Sequence, residues 1–216
     1  MDLWHSWISL LGAALAGLST GLGLSEALSI VVLTLLARGL LMPISLGAAL
    51  RAELRKRKLA AIRLELQALG ERMKGDRAAL GAATLALYRK HDIRFLDRLT
   101  LSNAGAQSVF GIGLFQAIGH AGFGSRFLWI PSLAKPDLWL SLLVALLVLP
   151  AMAVMPGAIS EPAAVAVLVT AVLVAAVTIA FMPAAVGLSW AASGVVSLVQ
   201  AVLVRGIVAR SARAGS

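Results

Sequence analysis

Residues 27–50 form an apolar run broken near its middle by one cation, Arg38. At 1.5 Å per residue, a run of this length crosses a hydrocarbon core of about 30 Å as a helix. In lipid, a helix is the form that satisfies every backbone N–H and C=O within one segment. The arginine narrows the choices further. Guanidinium keeps its proton under protein conditions, so the charge cannot be shed. Holding it at bilayer depth costs about 2.5–3.5 kcal/mol on insertion scales. A carboxylate would be the usual relief. The acids, however, are Asp2, Glu26, Glu53, Glu65, Glu71, Asp76, Asp92, Asp97, Asp137 and Glu161, and each lies outside or at the edge of an apolar run. Glu26 precedes Arg38 by twelve residues, about 18 Å along a helix. A cation placed in this way calls for water and polar side chains, hence for a polar groove inside a helical membrane protein.

The rest of the chain agrees with that reading. It is 60% hydrophobic over 216 residues, where soluble domains run to roughly half. Length and apolarity predict an all-α integral membrane protein with five transmembrane helices, over residues 24–50, 99–122, 136–155, 162–181 and 182–208. The last two are nearly continuous, and Pro183 predicts a tight turn between them. Residues 1–23 carry Trp4 and Trp7 at their start. Asp2 stands where a signal peptide would be positive, and Ala-Gly-Leu-Ser is a poor cleavage site, so an external interfacial helix anchored by tryptophan is expected.

Charge placement predicts orientation. Of 19 Lys and Arg, 13 fall in residues 51–98 and three more, Arg205, Arg210 and Arg213, near the C-terminus. Only Arg126 and Lys135 remain for the opposite side. The positive-inside rule then puts the N-terminus outside and both the basic loop and the 209–216 tail in the cytoplasm. An odd number of spans meets both conditions.

The loop 51–98 reads as a cytoplasmic helical hairpin. Ile62, Leu66, Leu69 and Met73 repeat at helical spacing, as do Leu80, Thr84, Leu87 and His91, and Gly75-Asp76 is a turn signal between them. Arg55, Lys56, Arg57, Lys58 and Arg63 form its basic exterior. This is either a contact surface for ribosome, targeting factors or nascent chain, or a solvated face drawn to anionic headgroups. A loop of residues 123–135 is expected outside.

Several reaction classes are excluded by composition. With no cysteine there is no disulfide framework, thiol nucleophile or thiolate metal site. His5, His91 and His120 lack metal-ligand spacing. No Ser/His/Asp or His-Glu-Xaa-Xaa-His constellation occurs, so neither an enzyme nor a cofactor is expected.

The first span reads Leu28-Ser29-Ile30-Val31-Val32-Leu33-Thr34-Leu35-Leu36-Ala37-Arg38-Gly39-Leu40-Leu41-Met42-Pro43. It resembles the first conserved helix of the YidC/Oxa family of membrane protein insertases: an apolar run, Thr, three residues, Arg, four residues, Pro. Leu85-Ala86-Leu87-Tyr88-Arg89-Lys90-His91 resembles the end of that family's hairpin. Phe127-Leu128-Trp129-Ile130, Leu133-Ala134 and Pro136-Asp137 resemble its external loop, and Pro183, Gly187-Leu188, Trp190 and Gln200 its last helix. Gln107 stands where the second helix carries a glutamine. Ile93-Arg94-Phe95-Leu96-Asp97-Arg98 departs from the family's entry to the second helix, and Ser189 stands where a tyrosine is common. The chain thus resembles a divergent, short bacterial member.

The resemblance implies an inner-membrane insertase and chaperone whose substrates are nascent or newly made membrane proteins, with ribosome, targeting factors and Sec translocon as further partners and no nucleic acid beyond ribosomal contact. Arg38 would centre the groove. Thr34, four residues earlier, shares its helical face. Gln107, Asn103, Ser193, Ser197 and Gln200 supply polar lining from the second and fifth spans, and Trp190 lies beside it. For Thr34, Ser193 and Ser197 taken singly, interhelical hydrogen bonding is the preferred reading; for Arg38, which has no partner acid, it is not. Two other classes stay open: a small transporter or channel using Arg38 as an anion site, which would usually show repeated halves, and a lateral assembly factor, which would not need Arg38.

Overall fold

The computed structural model describes residues 2–94, 97–154 and 162–214, and these form eight α-helices. No β-strand occurs among the described residues; an isolated bridge pairs Phe127 with Ile130. In chain order the helices are α1 (Leu3–Ala16, followed by a π turn at Gly17–Gly21), α2 (Glu26–Ala61), α3 (Arg63–Arg72), α4 (Arg77–Lys90), α5 (Arg98–Ala121), α6 (Leu138–Val154), α7 (Pro162–Ala180) and α8 (Ala184–Ala214). Two of the described helices, α2 and α8, are both long and apolar enough to cross a membrane. Met155, expected to end the third span, lies outside the described residues, as do Glu161, Phe95 and Leu96 and the last two residues of the tail.

The chain groups into two units, residues 1–43 with 105–216, and residues 44–104. In the first unit, α6 packs against α7 and α8. Gly187 permits one close approach: a Cβ there would lie 2.7 Å from Leu140 Cδ2. The hydrophobic core gathers where α2 begins, α5 ends, α6 begins, α7 ends and α8 begins. Ala27, Ile30, Leu114, Ile118, Leu140, Val144, Ile179 and Ala185 meet there. Leu133 of the connecting loop is fully buried in it, and Ile130 nearly so.

That loop also caps helices. The first N–H groups of a helix have no partner within it. For α8 they are met by the loop: Ala184 N donates to Lys135 O at 2.9 Å and Ala185 N to Leu133 O at 3.0 Å. For α6, Asp137 Oδ1 accepts from Leu140 N at 2.7 Å. Glu26 Oε2 accepts from Ser125 N at 3.0 Å, fixing the loop to the start of α2. Pro183 directly precedes α8, where a missing N–H costs little.

Helix α1 packs into this core. Ile8, Leu11 and Leu15 are buried, and Leu15 completely. Trp4 Nε1 donates to Gln116 Oε1 at 3.0 Å and Trp7 Nε1 to Val109 O at 3.2 Å. The two tryptophans read from the sequence as interfacial anchors therefore spend their indole N–H groups on α5. Their spacing alone could not distinguish an aqueous partner from a helical one.

The second unit is sparsely buried. Helix α2 continues past Leu50 to Ala61, because Arg, Lys, Glu and Leu are good helix formers: polarity ends a span without ending a helix. Helices α3 and α4 pack on each other, yet neither contains a buried residue. Their turn uses Gly75 at φ +105°, a region that suits glycine, and Asp76 caps α4 by accepting from Ala79 N at 2.9 Å.

Candidate functional site

Within the first unit, α2, α5, α6 and α8 enclose a cavity of about 380 Å³. One side is polar, formed by Thr34, Arg38, Gln107, Ser189, Ser193 and Ser197; the rest is apolar, with Leu41, Phe110, Leu114, Phe115, Val144, Val186 and Trp190. No Asp or Glu belongs to this lining.

The polar side is organised around the guanidinium. Arg38 Nη1 donates to Gln107 Oε1 on α5. Its Nη2 donates to Ser197 Oγ at 2.8 Å and to Ser193 O at 3.3 Å on α8. Ser197 Oγ in turn donates to Ser193 O at 2.9 Å, so this hydroxyl accepts from the cation and passes its own proton to the helix carbonyl. Three helices are thereby tied to one charge by neutral dipoles. Among the described residues, Arg38 Nε has no acceptor, although the atom is shielded from solvent. A desolvated N–H of this kind forgoes interaction energy until an acceptor reaches it.

Helical periodicity brings these groups to one face. Ser189, Ser193 and Ser197 are four residues apart on α8, as Thr34 and Arg38 are on α2. Thr34 is fully buried and returns its hydroxyl proton to Ile30 O at 2.8 Å, and Ser189 does the same to Val186 O at 2.7 Å. Both therefore present oxygen lone pairs to the cavity. What Ser193 offers Arg38 is its main-chain carbonyl, where the sequence had suggested its hydroxyl.

Of the residues singled out in the sequence, Arg38, Thr34, Gln107, Trp190, Ser193 and Ser197 line this cavity. Gln200 lies on α8 beyond Ser197, and Asn103 belongs to the second unit; neither is in the lining. Sequence reasoning did not select Ser189 or, Trp190 apart, the apolar wall. Ser189 was reachable as the residue one turn before Ser193. Phe110, Leu114 and Val144 carried no signal, since apolar residues fill every face of these helices.

The basic residues of the second unit are partly engaged with one another's segments. Arg55 Nη1 donates to Arg94 O at 2.9 Å, and Lys58 Nζ to Asp92 O at 3.1 Å. Arg57 pairs with Glu53 at 3.8 Å. Lys56 and Arg63 are exposed. Among the described residues, no group of three or more His, Asp or Glu is arranged to hold a metal.

No curated protein matches this chain. Residues 18–211, well over half of it, match the family described as 60Kd inner membrane protein. That name points to the inner membrane, and the family supports a role in membrane protein insertion. The chain, with its Arg38 helix and the Phe127–Ile130 and Trp190 segments, belongs to the 60Kd inner membrane protein family, which is the YidC/Oxa family.

Proposed function

We propose that this protein inserts membrane proteins through the cavity centred on Arg38. The carrying observation is a cation held by Gln107, Ser197 and the Ser193 carbonyl in a lining without acids. A polar segment crossing hydrocarbon loses water from its backbone and charges, at several kcal/mol per group. A groove that keeps water and a fixed positive charge partway across shortens that dry path. Arg38 attracts the acidic or polar residues of a substrate's N-terminal tail, and Thr34, Ser197 and Gln107 supply further hydrogen-bond partners.

In this reading the groove opens to the cytoplasm and to lipid, and the core around Ile30, Leu133 and Ala185 closes it on the outside. The five spans are residues 24–50, 99–122, 136–155, 162–181 and 182–208, with the N-terminus outside and the C-terminus in the cytoplasm. The concentration of basic residues in 51–98 supports that orientation. The hairpin and its basic exterior meet ribosome, targeting factors or nascent chain, and the Sec translocon is a further partner. Asn103 and Gln200 are further polar groups for a moving substrate. The protein acts by solvation and charge, without covalent chemistry.

Depletion complementation tests this. Wild type restores insertion of an acidic-tailed single-span substrate, and Arg38→Ala lowers it by about tenfold or more, as loss of one desolvated charge interaction of roughly 1.5–3 kcal/mol implies. Insertion at the wild-type level by Arg38→Ala would favour a lateral assembly factor instead. Ion flux that changes with Arg38 would favour an anion channel.

A further inference from the structure

We infer that Trp7 and Gly113 form a lock by which the N-terminal helix positions the cavity wall that carries Gln107. Residues 105–113 of α5 contain Gly105, Gly111 and Gly113. Glycine in a helix interior leaves the backbone freer to depart from helical geometry, so this stretch is weakly held by its own preference. It is also the stretch that presents Gln107 to Arg38.

Helix α1 grips the same turns from the other side. At about 100° per residue, Val109, Gly113 and Gln116 fall in a stripe about 60° wide, and Gln107, Gly111 and Leu114 lie on the opposite face. The stripe receives Trp7 Nε1 on Val109 O at 3.2 Å and Trp4 Nε1 on Gln116 Oε1 at 3.0 Å. Gly113 is the socket between them. A Cβ there would collide with the Trp7 indole nitrogen and lie 2.8 Å from Trp7 Cδ1 and 3.0 Å from Leu11 Cδ1. Gly105, Gly111 and Gly119 have open space at the same construction, so the fit is particular to Gly113. Ile8, Leu11 and Leu15, all buried, hold α1 in place beneath the indoles. Trp7 is not itself part of the cavity lining, so its action on Arg38 passes through α5.

The effect on insertion rests on the function proposed above; the effect on the cavity does not. The test is a double-mutant cycle of Trp7→Ala and Gly113→Ala in the full chain, reading the labelling rate of a single cysteine placed at Leu41 in the otherwise cysteine-free protein. Gly113→Ala should change that rate in the Trp7 background and leave it unchanged in the Trp7→Ala background, a coupling of about twofold or more. Trp7→Phe keeps an aromatic ring in a smaller volume and removes the N–H given to Val109. It should shift the rate in the same direction by less, and it carries the test if Gly113→Ala fails to accumulate. Insertion should fall in step with the labelling change. Additive effects, or unchanged labelling in Gly113→Ala and Trp7→Phe, would overturn the lock whatever happens to insertion. Labelling that responds as expected while Arg38→Ala inserts normally would retain the lock and reject the insertase mechanism.

Discussion

The two units of this chain handle positive charge in opposite ways. In the first, one half-buried arginine of α2 is held by a glutamine carbonyl on α5 and by a serine hydroxyl and a main-chain carbonyl on α8. In the second, charges pair near the surface: Lys90 with Glu65 at 3.9 Å between α4 and α3, and Lys58 and Arg51 of α2 with Asp92 and Asp97, outside the helices, at 3.8 Å and 3.4 Å. Desolvation makes the difference. A charge removed from water must be met by fixed dipoles, so its surroundings become specific. A charge left in water gains little from any one partner and tolerates many arrangements. The same residue type thus marks a candidate site in one unit and a solvated surface in the other.

The contrast extends to packing, and it is there that it is most easily broken. Leu133 is fully buried where the connecting loop enters the core, and its N–H and carbonyl join the loop to Ser125 and Ala185. Leu133→Ala should destabilise the first unit by about 2–5 kcal/mol, seen as a lower unfolding temperature of the purified protein in detergent. A loss below about 1 kcal/mol would mean that the loop is dispensable to the core.

In the second unit, the largest single contribution within the hairpin should be a cap. Asp76→Ala removes the acceptor for Ala79 N and should cost about 0.5–2 kcal/mol, confined to α4 and read as faster amide exchange in its first turn. Exchange that accelerates equally in α8 would show that the hairpin and the first unit unfold together, against the contrast drawn here. Smaller still is the exposed pair: Lys58→Ala should change stability by less than about 1 kcal/mol, and less at high salt. A larger effect would make this basic cluster structural, leaving less of it for partner contact.

Helical class was legible because apolar run length and the Arg38 anomaly each restrict a chain strongly. The family was legible because Thr34, Arg38 and Pro43 keep fixed spacing and the later segments follow in order. Boundaries were less so. Residues 51–58 are charged and helical at once, and a hydropathy argument stops at Leu50 while the helix runs to Ala61. Most of the polar side of the cavity was legible, since Gln107, Ser193 and Ser197 are rare polar residues in apolar helices; the same signal missed Ser189 and also selected Asn103 and Gln200, which are not in the lining. Its apolar wall was not, because nothing in the type of Phe110 or Val144 distinguishes lining from lipid contact. The role of Trp4 and Trp7 in packing was hidden for a related reason: an indole suits both a membrane interface and a helix carbonyl.

The central claim is that the charge of Arg38, in a lining without acids, engages the tail of the substrate. Reversing both partners tests it most directly. Insertion of one single-span substrate is measured with an acidic and with a lysine-bearing tail, by wild type and by Arg38→Glu. Wild type should favour the acidic tail. Arg38→Glu should insert the acidic tail worst of all combinations and recover with the basic one, because the attraction is restored with its sign exchanged. Equal insertion of both tails by both proteins would contradict the account.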